Sequence, residues 1–399
     1  MLVLFWSSLA VIAYVYFGYP LLLWLGVLGK PGTNRGKELA ACDARLISVI
    51  AAAHNEESLI EAKIRNVLDS DYPRERIEIL IGSDGSSDRT EEIVRRFASQ
   101  GVGLVSFPQQ QGKSAMQNRL VATASGEILV LTDADCLFAR DAIPLALENF
   151  ADPRVGLVTA RPRFFNEGDT AITANEGIYL RYETWLRLQE SERSLLAMAS
   201  GSFVAIRRSL WRPLEPDLGD DFVLPLRVAQ IGSLNVLDER IIASTHLSED
   251  RPSAMLRTKT RIITKDFRGL LAYAHLLNPI RHGDIAVSLL SHKLLRWFIP
   301  YLLLVLLAAD LCLLHRPVFR LFLALQAAFY ALALLGFALQ NWRRASLLSV
   351  PLSFCVVNLA ALIGTARCLL GRTSALWTPA RNQSVAARFR ATVSSRECK

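Results

Sequence analysis

The chain has 399 residues, 51% of them hydrophobic, and a formal net charge of +8. That length allows a sizeable core and two or three structural units. The positive charge forms no basic stripe interleaved with aromatics, which argues against a nucleic-acid polymer as partner. The cysteines (Cys42, Cys136, Cys312, Cys355, Cys368, Cys398) lack metal-ligand spacing and read as reduced or lipid-facing thiols.

Leu2 to Leu28 carries no charged residue and is long enough to cross a bilayer. It lacks a charged segment ahead of it and an evident cleavage site behind it, so it reads as a retained helix rather than a signal peptide. Lys30, Arg35 and Lys37 follow and favour a cytoplasmic location for the next segment. From there to about Ser291 the composition is that of a soluble domain. Strands are expected at Leu46–Ala53, Ile77–Ile81, Val102–Phe107 and Ile128–Thr132. Helices are expected up to Leu68, at Glu91–Ala98 and at Lys113–Ala124. Strands alternating with helices imply right-handed crossovers and a parallel sheet, with ligands beyond the carboxyl ends of the strands. Leu294–Leu314, Val318–Leu339 and Leu347–Leu370 are again of spanning length. Three such spans would leave the basic tail (Arg372, Arg381, Arg388, Arg390, Arg396, Lys399) outside, although its charge favours the inside.

Three polar clusters fall at the expected strand ends. His54–Glu57 follows the first strand and Asp84 the second. Asp133-Ala134-Asp135 follows the fourth, and period-two geometry sends its two carboxylates the same way. Such a pair can hold a hard divalent cation and, through it, a diphosphate; an Asx-rich turn is the plainer alternative. Glu56, Glu57 and Asp84 can equally serve as caps. Gln111-Gly112-Lys113-Ser114 is not a P-loop, since Phe107 stands where that motif needs glycine. Lys113 remains a point charge for a phosphate. Asp220-Asp221 offers either a helix N-terminal charge pair or a base, because adjacent carboxylates repel and raise one pKa. Arg257, Lys259 and Arg261 read as headgroup contacts or as cations that stabilise a departing diphosphate.

Together these pieces resemble the membrane-bound family 2 glycosyltransferases, the inverting GT-A enzymes such as synthases of poly-N-acetylglucosamine, chitooligosaccharide, hyaluronan and cellulose. The matching segments are Ser48–Glu57, Ser83–Thr90, Gly112-Lys113, Thr132–Asp135, Gly201–Arg207 and Asp220-Asp221, with an extension to Ser291–Trp297. The resemblance implies an α/β fold: a Rossmann-like GT-A nucleotide-sugar domain with a mostly parallel sheet, flanked by transmembrane α-helices. The chain then divides into a membrane helix (1–28), a cytoplasmic domain (29–291, core 47–268), about three membrane helices (292–371) and a basic tail (372–399). Ala53, Asn55, Glu56, Asp84, Lys113 and Asp133 would line the nucleotide-sugar site. Asp135, with Asp133, would hold Mg²⁺ or Mn²⁺. Asp221 would be the base, with Asp220 beside it and Arg261 as a catalytic cation. Two departures stand out. Ser83 replaces the first aspartate of the second motif. Thr258-Lys259-Thr260-Arg261-Ile262 keeps only the arginine of the Gln-x-x-Arg-Trp sequence found in processive members.

The implied reaction moves a sugar from a nucleotide-diphospho-sugar, a UDP-sugar, to a growing surface or extracellular glycan. The alternative is addition of a single sugar to a lipid-linked acceptor. A sensor or scaffold without turnover is disfavoured, because Asp221, Asp135 and Lys113 are all present. The implied setting is the inner (plasma) membrane, multi-pass, with an export partner protein for the product.

Overall fold

Four apolar runs of the soluble region become neighbouring strands: β1 (Ile47–Ala53), β2 (Ile77–Asp84), β3 (Val102–Phe107) and β4 (Ile128–Asp133). Every residue of β1 is buried, as expected of a central parallel strand covered on both faces. The helices Ile60–Leu68, Thr90–Arg95 and Lys113–Thr123 form the crossovers. β1 pairs in parallel with β2 and β4, and β2 with β3. The register sets Ala52 opposite both Gly82 and Asp133, and Ala53 opposite Ser83. The carboxyl ends of β2, β1 and β4 are therefore level.

Four further strands, β5 (Cys136–Phe138), β6 (Val155–Phe164), β7 (Val204–Arg207) and β8 (Leu234–Thr245), complete an eight-stranded sheet in the order β3-β2-β1-β4-β7-β6-β8-β5. β7 runs antiparallel to β4 and β6, and β5 antiparallel to β8, while β6 and β8 are parallel. The sheet is mixed and mostly parallel, as the sequence implied. Its core joins β-branched residues of β1, β2 and β4 to Phe138, Phe150 and Phe203.

The computed structural model describes residues 1–32, 45–167, 171–246, 251–339 and 346–372. Arg35, Lys37, Cys42, the segment around Trp342 and the tail from Arg381 to Lys399 lie outside the described residues. The described residues split into two compact units, one of 30–32, 45–165 and 190–246, the other of 1–29, 166–167, 171–189, 251–339 and 346–372.

That second unit contains four helices long and apolar enough to cross a membrane: Leu2–Trp24, Asp284–Cys312, Pro317–Ala338 and Leu348–Leu369. Polar groups inside them mostly find partners. Gln326 Nε2 donates to Asp310 at 2.9 Å, and Asn358 Nδ2 to the Phe354 carbonyl at 2.9 Å; Arg367 is exposed in the last turn of its helix. Glu183, on the helix Ala171–Glu192, accepts from His292 Nε2 and Arg296 at 2.9 Å each and lies 3.6 Å from Lys293 Nζ. Burial opposes its ionised form, but the groups around it, Lys293 and Arg296 among them, hold its carboxylate well below its usual range. Among the described residues, Cys136, Cys312, Cys355 and Cys368 form no disulfide.

Candidate active site

The site lies within the sheet-bearing unit, at the level carboxyl ends of β2, β1 and β4. Ala53, the last residue of β1, is fully buried. Asn55 follows in a left-handed conformation, φ 57°. Its Oδ1 accepts from the Ser87 amide at 2.7 Å, and its own amide donates to Ser86 Oγ at 3.0 Å. The first two loops are thereby stitched together. The Glu56 amide donates to Thr90 Oγ1 at 2.8 Å, and Glu56 is buried. Asp88 Oδ1 accepts from the Thr90 amide at 3.0 Å, just ahead of the next helix.

Asp84 is fully buried, and both its oxygens are engaged. Oδ1 accepts from the Gln111 amide at 2.7 Å and Oδ2 from the Gly112 amide at 2.9 Å. Its carboxylate shapes the turn ahead of Lys113. Gly112 sits at φ 102°, a conformation that favours glycine. Lys113 opens the following helix.

Lys113 is the centre of the constellation. Its Nζ lies 2.7 Å from Asp133 Oδ1 and 3.0 Å from Asp220 Oδ2. Asp220 also accepts from Gln117 Nε2 at 2.7 Å. Asp220 and Asp221 form the first turn of the helix Asp220–Gln230. The Asp221 carbonyl accepts from the Ala199 amide at 2.9 Å, which ties the Gly201 loop to this helix. Gly201 separates two carboxylates: a methyl group there would lie 3.3 Å from Asp133 Oδ2 and 4.0 Å from Asp221 Oδ2. Asp133, Lys113 and the Asp220-Asp221 pair are thus brought together from three separate segments.

The strand ends at Asp133, and Ala134-Asp135 is a turn rather than extended chain. The burial alternation survives even so: Ala134 is buried, while Asp133 and Asp135 are both partly open. Burial, reinforced by the charge on Asp133, pushes the Asp135 carboxyl up to about 6. Burial also opposes the Lys113 ammonium, but Asp133 and Asp220 outweigh it and keep Lys113 protonated. At Asp220 burial is likewise outweighed, by Lys113 and the Gln117 amide, and its carboxyl falls below the usual range. The raised pKa expected in the acidic pair is therefore not at Asp220, whose charge is already neutralised.

Among the described residues, no group of three or more His, Cys, Asp or Glu side chains forms a complete metal cage. Two partly open carboxylates, crowded enough for one to raise the other's pKa, fit a hard cation that takes its remaining ligands from a diphosphate and water. Arg261 lies on the exposed side of the helix Pro252–Ala272, in the unit of the apolar helices, with Arg257 also exposed. Lys259 pairs with Glu176 at 2.7 Å.

Sequence reasoning missed two residues behind the site. Lys63 and Asn66 lie on the buried face of the helix Ile60–Leu68. Lys63 Nζ donates to Thr132 Oγ1 at 2.7 Å and to the Cys136 carbonyl at 2.8 Å. Asn66 bonds both backbone groups of Phe138, at 2.8 and 3.0 Å. The available signal was two polar residues three apart among Ile60, Ala62, Ile64 and Val67, on the face an amphipathic helix keeps apolar.

Comparison with known proteins agrees with this geometry. The pattern of glycosyl transferase family 2 matches residues 48–213. A poly-beta-1,6-N-acetyl-D-glucosamine synthase of Staphylococcus aureus is 32% identical over 136 residues, 34% of this chain and 32% of that protein. A beta-monoglucosyldiacylglycerol synthase of Trichormus variabilis is 27% identical over 214 residues, 51% of this chain and 45% of that protein. The chain thus aligns with less than half the length of these curated relatives. A mannosyltransferase from Pyrobaculum calidifontis, solved in complex with GDP-Man and Mn²⁺, superposes with a TM-score of 0.68 at 23% identity, covering 92% of this chain and 99% of that one. That superposition establishes a shared GT-A fold. With the family pattern running from β1 past β7 and the acidic site at the strand ends, residues 48–213 form a glycosyl transferase family 2 domain, and the described residues also include four helices of membrane-spanning length.

Proposed function

We propose that this chain is an inverting glycosyltransferase that moves a sugar from a nucleotide-diphospho-sugar, a UDP-sugar, to a hydroxyl of a growing glycan. The observation that carries this reading is the Lys113 bridge between Asp133 and Asp220, with Asp221 across Gly201. Asp133 and Asp135 would hold Mg²⁺ or Mn²⁺, which when bound neutralises charge on the diphosphate. Lys113 adds a fixed cation beside them. Ala53, Asn55 and Glu56 line the nucleoside end, and Asp84 holds the Gly112 turn that delivers Lys113. Asp221 accepts the proton of the acceptor hydroxyl. That oxygen bonds to the anomeric carbon from the face opposite the diphosphate, and the carbon–oxygen bond to the diphosphate breaks, its electron pair leaving with the phosphate. Asp220 is a poor base because Lys113 and Gln117 occupy it; it positions Lys113. Arg261 is retained as a cation for the departing diphosphate on the resemblance alone.

A second reading, one sugar added to a lipid-linked acceptor, is favoured by the segment Thr258–Ile262, which lacks the glutamine and tryptophan of processive members. Product length separates the two. Purified protein in detergent, offered a panel of UDP- and GDP-sugars with a short glycan or a polyprenyl phosphate, should yield a ladder on the glycan. A single addition confined to the lipid would establish the second reading instead.

The protein is placed in the inner membrane as a multi-pass protein with its catalytic unit in the cytoplasm, where nucleotide sugars are made. The four apolar helices and Lys30 after the first of them support this. A protein that exports the product would complete the system. Glu167→Cys should resist a membrane-impermeant thiol reagent in intact cells and react after permeabilisation. Ready labelling in intact cells would reverse the orientation.

A further inference from the structure

We infer that Lys63 is a positioning residue that locks the Asp133–Asp135 turn for a cation-bound nucleoside diphosphate; the inference rests on the donor reading above. Lys63 is fully buried, 0% exposed, an uncommon place for a lysine. Burial pulls its ammonium down to about 8, against the opposing charges of Asp133 and Asp135. A group held at such a cost needs compensating bonds. Its two hydrogen bonds go to Thr132 and Cys136, the residues on either side of Asp133-Ala134-Asp135. The ammonium also sits 4.5 Å from the centre of the Phe138 ring, whose backbone Asn66 holds. The turn is therefore pinned at both ends by one side chain and braced two residues further on by another.

The lock extends to the base. Thr132 Oγ1 accepts from Lys63 and donates to the Ser202 carbonyl at 2.7 Å. Ser202 follows Gly201, the residue that separates Asp133 from Asp221. A relay Lys63–Thr132–Ser202 thus fixes the cation-binding turn against the loop beside the base, using groups that do not touch the donor. Outer groups that orient ligating carboxylates commonly change cation affinity 10–100-fold when removed.

Charge and position predict opposite results for Lys63→Met. If the main effect of Lys63 were repulsion of an incoming cation, removing it would tighten Mn²⁺ binding. If it positions the turn, Mn²⁺ affinity in the presence of UDP should fall about tenfold or more. The readout is the free Mn²⁺ electron paramagnetic resonance signal of full-length protein in detergent, titrated with UDP, with thermal unfolding as the check on folding. Thr132→Val should weaken Mn²⁺ binding in the same direction, and Thr132→Ser, which keeps the hydroxyl, should restore it. If Lys63→Met does not fold, the threonine pair decides. Unchanged or tighter Mn²⁺ binding in a folded Lys63→Met or Thr132→Val protein overturns the inference while leaving the donor reading intact. A wild-type protein that takes up no Mn²⁺ with UDP overturns the donor reading and this inference with it.

Discussion

Asp221→Asn should lose about 10²–10⁴-fold in kcat, the usual effect of removing a general base. The amide keeps the size of the side chain but cannot take the acceptor's proton. Binding of UDP with Mn²⁺ should be nearly unchanged, because the cation-binding carboxylates and Lys113 remain. Asp220→Asn is the internal control. It removes one of the two carboxylates on Lys113 but leaves Asp133 2.7 Å from the ammonium, so it should raise donor KM more than it lowers kcat. Initial rates over a donor titration separate the two variants. A dead Asp220→Asn with an active Asp221→Asn would move the base by one residue. Normal turnover in both would reduce the pair to a helix N-terminus and place the base elsewhere.

The second large effect concerns the cation. Excess chelator should abolish transfer, and Mn²⁺ or Mg²⁺ should restore it. Asp135→Asn should weaken UDP binding measured with Mn²⁺ and leave the weaker, cation-free binding unchanged. This pattern differs from that of Asp221→Asn, which spares binding. Binding by calorimetry with and without the cation checks it. Full turnover in excess chelator would remove the cation from the reaction.

The first half of the sheet was legible because parallel strands buried on both faces read as short apolar runs. Ile47–Ala53 and Val102–Phe107 appear where the runs predict. The second half was not. β7 is four residues long, and its strand character comes from antiparallel pairing with β4 and β6 rather than from a local pattern. The clustering of polar loops at one edge followed from topology, so Asp133 and Asp220 could be nominated from sequence. Their common partner could not, since the bridge depends on where the helix after Gly112 points Lys113. Asp84 shows the same limit: its bonds to the Gln111 and Gly112 amides come from a loop whose path the strand pattern does not give. The span expected to begin at Leu294 starts at Asp284 instead. That helix carries His292 and Lys293 to Glu183, 109 residues away from His292 in sequence, a meeting that no local pattern announces.

The account rests most directly on the stereochemistry of transfer. Purified protein supplied with α-linked UDP-sugars, Mn²⁺ and an acceptor should release one UDP per sugar transferred. The new linkage should appear as the β anomer in the proton NMR spectrum of the product, since the proposed role of Asp221 as a base implies a single displacement from the face opposite the diphosphate. An α-linked product, or no nucleoside diphosphate released from any donor in the panel, would contradict it.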